Sequence, residues 1–184
     1  MKKFTNKDVQ KSLDMAMDAH RGQVRPGSEI PYVMHSIQVG NLVHHTGGLK
    51  EQELLKAVIV ANLHDVIANT KLTYTDIKSE FECEIADATE ALSEKISDNN
   101  ENLNIKIDKF YKTCEKISNQ PDWVKLVKTT DVISDIIKLS DVWTLKEVET
   151  YLFQLSSIID NWNLSEILKS TFKEKKEEVI KRYK

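Results

Sequence analysis

Turn-forming residues are scarce in this chain. Five glycines and three prolines among 184 residues argue against an architecture of many short strands joined by tight turns. Two cysteines, Cys83 and Cys114, lack metal-type spacing and make no disulfide framework; both are expected to be reduced thiols, buried or half-buried. No long hydrophobic run occurs, and the longest, around Ala57 to Leu63, is far too short to span a bilayer. The N-terminal MKKFTNKDVQ has no apolar stretch behind its lysines, so no signal peptide is expected and a cytoplasmic location is. Charge of one sign is also missing. A formal net charge of −3 supplies no general attraction to nucleic acid or anionic lipid, and neither is an expected partner. A polyanionic small molecule would need a local positive site, made by a metal ion or a few cations.

What is present is an ordinary globular composition, 40% apolar and 30% charged, in a length that suits one domain. The apolar spacing is helical almost throughout. Thr5 and Asp8 mark a helix start, with Val9, Leu13, Ala16 and Met17 on one face and an end near His20. A loop with Arg25, Pro26, Gly27 and Pro31 follows. A second helix from about His35 stops at Gly47 and Gly48. A third, roughly Glu51 to Val66, is expected to bury Leu54, Leu55, Val58, Ile59 and Leu63. Thr73 and Asp76 repeat the capping pattern before a helix that runs through Leu92. SEKISDNNENLN reads as a polar loop, with a helix resuming near Ile105. Pro121 suits the first turn of the next helix, and two amphipathic helices, roughly 144–161 and 164–182, complete an all-α chain. The closing KEKKEEVIKRYK reads as a solvated helix face.

The most informative feature is His64-Asp65 at the end of the apolar helix ELLKAVIVANL. Neighbouring residues on a helix point about 100° apart, yet a long imidazole and a short carboxylate can converge on one ion beyond the helix edge. His35, in PYVMH, lies at a helix start. Asp131, in VKLVKTTD, lies within an apolar helix where an unpaired carboxylate is costly to bury. Two imidazoles and two carboxylates suit manganese, iron or zinc, with positions left for water and substrate. Spacing alone leaves the bland alternative open: histidines satisfied by hydrogen bonds, and an aspartate in a local ion pair.

AHRGQVR, PYVMH, HDVIANT and VKLVKTTD, in that order and at these separations, resemble the hydrolase domain of RelA/SpoT-type alarmone enzymes, and most of all its stand-alone small form. The likeness extends through ETYLFQLSSIIDNWN and KSTFKEK and so covers nearly the whole chain. It implies a single compact HD-domain helical bundle over residues 1–184, with His35, His64, Asp65 and Asp131 holding one divalent ion, usually Mn²⁺. It also implies hydrolysis of the 3′-pyrophosphate of (p)ppGpp to GDP or GTP and pyrophosphate. Arg25 matches an arginine that packs on the guanine base, a role suited to its planar cation. Tyr151 matches a tyrosine near the nucleotide. Lys128, like Lys125, stands near Asp131 where phosphate would be met, and His20 and Gln23 match a supporting pattern. Whether copies of the chain associate stays open.

Four positions depart from that family's pattern. Its Glu-Asp pair, which positions water and moves protons, reads Ala68-Asn69 here. Loss of positioned proton transfer typically costs about 10²–10⁴ in rate. Asn69 keeps only hydrogen bonding as its contribution to catalysis. Asp135 stands where the family has asparagine, four residues after Asp131 and so on the same helix face; it is the expected partial substitute for the lost carboxylate, the alternative being a neutral exchange. The glycine of the family's Phe-Gly pair is Glu82. These departures leave two other functions open: a nucleotide-binding protein with weakened turnover, and a phosphohydrolase of another nucleotide.

Overall fold

The computed structural model describes residues 2–95, 102–139 and 143–184; residues 96–101 of the expected polar loop lie outside them. The described residues form nine helices and no strand. In chain order they are α1 (Asn6–Ala19), α2 (Val33–Thr46), α3 (Glu51–Leu63), the single turn α4 (Val66–Asn69), α5 (Tyr74–Leu92), α6 (Leu103–Ile117), α7 (Asp122–Ile136), α8 (Leu145–Ile159) and α9 (Glu166–Arg182). None is long and apolar enough to cross a membrane. The expected starts hold. Thr5 with Asp8 and Thr73 with Asp76 form capping boxes, and Thr144 with Glu147 forms a third. Each satisfies backbone N–H groups that a helix N-terminus leaves without partners.

Two helices make the centre. α3 packs against α1, α2, α5 and α7, and α7 packs also on α2 and α9. Their burial is not the one-sided stripe of a surface helix. Ile59 to Leu63 are all buried in α3, as are Leu126 to Ser134 in α7, the pattern of helices enclosed by neighbours. This changes the expected core. Leu54, Leu55 and Val58 are only half-buried, and Ala57, Val60 and Ala61 fill the interior instead. In α1 Ala16 is buried as expected, but Met17 is exposed and Ser12 lies inside. The enclosed stretches of both helices carry their polar residues inward: Asp131 lies in that of α7, and His64 ends that of α3, with Asp65 next to it.

Cys83 and Cys114 are both free, as expected. Cys114 is half-buried, and burial pushes its thiol up to about 12; Cys83 is exposed, against expectation.

The missing glycine has a structural consequence. Within α5, Glu82 adopts φ 73° and ψ 175° at a kink between two helical stretches. That region is essentially glycine territory and costs other residues roughly 1–3 kcal/mol, against the roughly 0.5–1 kcal/mol by which glycine is entropically disfavoured. Glu82→Gly should therefore stabilise the fold by about 1 kcal/mol and raise the melting midpoint by roughly 2–4 °C, while Glu82→Ala should give no such gain. Thermal melts of the two variants check this, and an unchanged midpoint in the glycine variant would contradict it.

Candidate metal centre and nucleotide cleft

Three helix ends meet the middle of a fourth helix at one point. His35 enters from the first turn of α2, His64 closes α3, Asp65 begins α4, and Asp131 comes from the middle of α7. All four are buried. His35 Nε2 lies 3.2 Å from His64 Nε2 and 3.1 Å from Asp131 Oδ1. His64 Nε2 lies 3.5 Å from the same oxygen and 3.3 Å from Asp65 Oδ2, which is 3.7 Å from His35 Nε2. Ligand atoms of His35, His64 and Asp131 all fall within 4.8 Å of one another; Asp65, near both imidazoles, is outside that set of three.

The outward nitrogens settle what the inward ones offer. His64 Nδ1 is 2.8 Å from the Ala61 carbonyl, an acceptor, so Nδ1 carries the proton and the neutral ring turns a lone pair inward. His35 Nδ1 meets Ser134 Oγ at 3.0 Å, and Ser134 in turn reaches Gln38. Tyr32 donates its hydroxyl to Asp65 Oδ2 and stacks at 4.8 Å on His20. Atoms bound about 2.0–2.2 Å from one ion stand about 3.0–3.6 Å from their neighbours, by the geometry of octahedral and tetrahedral shells. Four of the five separations fall in this range, Asp65 to His35 being slightly longer, and the N/O set of His35, His64 and Asp131 can hold a divalent cation.

Electrostatics point the same way. Burial disfavours a charged His64, but the Asp65 carboxylate beside it and its contacts to Asp131 outweigh this and hold its pKa well above the usual value. Burial would raise Asp131; the Lys128 ammonium and the two imidazoles hold it well below the usual carboxylate range. Asp65 is lowered against burial, chiefly by His64. The two carboxylates thus favour positive charge, a proton or a metal ion, at the point where the imidazoles converge.

The cluster lies in a cleft that also contains Arg25, Lys128, Asp135 and Tyr151, with Lys95, Lys106, Lys109 and Lys138 around it. Arg25 rides on a short hairpin, Val24 bridging to Pro31, whose Gln23 donates to the Asn69 carbonyl at 2.9 Å. Its Nη2 lies 2.6 Å from Asp135 Oδ1, and its buried Nη1 has no hydrogen-bond partner among the described residues. Lys128 is itself buried, 3.1 Å from Asp131 Oδ2 and 3.2 Å from Glu94 Oε1. Tyr151 is buried against Trp143, and burial raises its hydroxyl pKa. Lys125 pairs with Asp122 instead and is not among the cleft residues.

Two expected roles are redirected. Asp135 faces the cleft, but its carboxylate pairs with Arg25 and not with the imidazole cluster. Asn69 donates its amide to the carbonyls of Asp65 (3.1 Å) and Glu94 (2.7 Å), so it braces two backbone segments; with Ala68 it borders a separate concavity beside α1. Tyr32 and Glu94 escaped the sequence reading. The tyrosine of PYVMH could have been marked by its place three residues before His35, whereas nothing in SEKIS singles out Glu94.

No family model matches the chain. A guanosine-3′,5′-bis(diphosphate) 3′-pyrophosphohydrolase of Danio rerio is 22% identical over 156 residues, 80% of each chain. The enzyme of that name from Borreliella burgdorferi is 28% identical over 176 residues, 83% of this chain but 25% of its own length. That from Haemophilus influenzae is 30% identical over 129 residues, covering 69% of this chain and 16% of the relative. The structure of a metazoan ortholog of SpoT, described as hydrolysing ppGpp, superposes with a TM-score of 0.71 at 20% identity, covering 95% of this chain and 97% of that one. The architecture is thus the all-helical HD-domain fold. Within that class the chain resembles the RelA/SpoT-type proteins, and it matches four fifths of the Danio rerio relative but a quarter or less of the larger bacterial enzymes.

Proposed function

We propose that this protein is a metal-dependent phosphohydrolase that cleaves the 3′-pyrophosphate of (p)ppGpp, releasing pyrophosphate and GDP or GTP. The observation that carries this reading is the meeting of two imidazole nitrogens and the Asp131 carboxylate at ion-binding separations, inside a cleft rich in cations. In this reading His35, His64, Asp65 and Asp131 would hold one divalent ion, Mn²⁺ by preference, which would supply Lewis-acid polarisation of a phosphoryl oxygen and a more acidic water. Arg25 receives the base or a phosphate through the guanidinium edge that lacks a partner, and Asp135 orients it. Tyr151 forms part of the wall, and Lys128 offsets the negative charge of Asp131. Tyr32 fixes the Asp65 carboxylate by hydrogen bonding. The stand-alone relative from Danio rerio carries the name of this activity.

The specific test is product analysis of ppGpp incubated with the protein and Mn²⁺. Pyrophosphate with GDP supports the reading. Ala68 and Asn69 favour a second one, a nucleotide-binding protein without fast turnover, which tight ppGpp binding with no pyrophosphate would establish. Turnover of another nucleotide alone would redirect the substrate.

The raised pKa of His64 adds a prediction. His64 has a raised pKa, and an ion needs its Nε2 lone pair, so binding must expel the proton. Mn²⁺ affinity should rise with pH, by up to about tenfold per unit for one proton released. Calorimetry in two buffers of different ionisation enthalpy measures the release directly; a binding heat independent of buffer would contradict it.

A further inference from the structure

The cleft includes four carboxylates among the described residues: Asp65, Asp131, Asp135 and Glu94. The first two belong to the imidazole cluster, and Asp135 pairs with Arg25. Glu94 differs. Its Oε1 takes Lys128 Nζ at 3.2 Å and the Thr113 hydroxyl, and its Oε2 has no hydrogen bond among the described residues. Lys128 also reaches Asp131 at 3.1 Å, so one ammonium links Glu94 to the cluster. The backbone of Glu94 is held as well. Asn69 Nδ2 donates to its carbonyl at 2.7 Å and to the Asp65 carbonyl at 3.1 Å, tying the segment after α5 to the turn that starts at Asp65. Serine 93 adds a second tie through the hydroxyl that Ser93 donates to the His64 carbonyl at 2.7 Å. An aspartate at position 69 has no donor for either carbonyl.

We infer that Glu94, held in place by Asn69, is the carboxylate that orients the attacking water and takes its proton, replacing the pair that Ala68-Asn69 lacks. This rests on the hydrolase reading above. The water oxygen bonds to the inner phosphorus of the 3′-pyrophosphate as the bond from that phosphorus to O3′ breaks. One water proton passes to the Glu94 carboxylate and then to solvent. Pyrophosphate departs, and O3′ acquires a proton. Asn69 is a positioning residue in this scheme, acting through the main chain of Glu94.

The test uses the full chain with Mn²⁺ and ppGpp. Glu94→Gln should lower kcat by about 10²–10⁴ while KM and the Mn²⁺ midpoint stay within about threefold, the pattern of an interaction realised in the transition state. Glu94→Asp should recover part of the loss. Asn69→Asp should lower kcat too, although it adds a carboxylate, because it removes the tether. Turnover of Glu94→Gln close to wild type overturns the inference alone, as does a loss explained wholly by weakened Mn²⁺ or ppGpp binding. Should Glu94→Gln fail to fold, full turnover in both Glu94→Asp and Asn69→Asp overturns it. A wild-type protein that releases no pyrophosphate overturns the hydrolase reading and this inference together.

Discussion

Asp131→Asn should reduce pyrophosphate release roughly 10²–10³-fold or more, the range seen when one preorganised charge-stabilising group is removed. The change is nearly isosteric, so packing inside α7 survives. What goes is the negative charge at the point where both imidazoles converge, 3.1 Å from His35 and 3.5 Å from His64. In the native cluster this carboxylate stays ionised: burial pushes its pKa up, but Lys128 and the two histidines pull it well below the usual range. The sign of the linkage follows. Its contribution to metal-free stability is present above the ordinary carboxylate pKa and is lost as pH falls through the lower folded value. The neutral amide also weakens the ion's hold, so the rise in melting temperature that Mn²⁺ gives the wild type should disappear. Wild-type turnover and an intact Mn²⁺ shift in this variant would remove Asp131 from the site.

Lys128→Met should be the most destabilising single change. The ammonium is buried between Asp131 and Glu94. Burial acts against its charged form, yet the two carboxylates outweigh it and hold its pKa well above the ordinary value. Methionine fills similar volume but leaves two carboxylates facing each other without a cation. Breaking a buried pair this way costs about 3–5 kcal/mol, equivalent to a fall of roughly 6–20 °C in melting midpoint for a chain of this size. In chelator the full drop should appear. Added Mn²⁺ should restore part of it, because the ion takes over the charge of Asp131. A midpoint within about 2 °C of wild type would contradict the claim that Lys128 balances the cluster.

The helices were legible because apolar period and capping residues agree along the chain, as at Thr5 with Asp8 and Thr73 with Asp76. Which face turned inward was less so. α3 and α7 are enclosed by several neighbours, and enclosure replaces the single-stripe logic that favoured Leu54 and Leu55 over Ala57 and Ala61. The histidines and aspartates of the cluster were visible because ionisable residues inside apolar runs need a reason to be there. Helix spacing was enough to put Asp135 on the cleft side with Asp131, but its partner was not legible, because only the fold of the 23–32 hairpin brings Arg25 to within 2.6 Å of it. Glu94 and Asn69 could not be paired from sequence, since a side chain-to-carbonyl contact across 25 positions leaves no local pattern. The kink at Glu82 has no local sequence signal, and its positive φ is one that a glycine would adopt without strain.

The central claim is that the His35, His64, Asp65 and Asp131 cluster makes this chain a metal-dependent ppGpp hydrolase. Its most direct test is pyrophosphate release from ppGpp by protein stripped with a chelator and then titrated with Mn²⁺. The account predicts negligible release from the stripped protein and recovery that saturates at about one Mn²⁺ per chain, as expected of one four-ligand site. Release that persists without metal, or a protein that stays inactive on ppGpp with the site saturated, would contradict it.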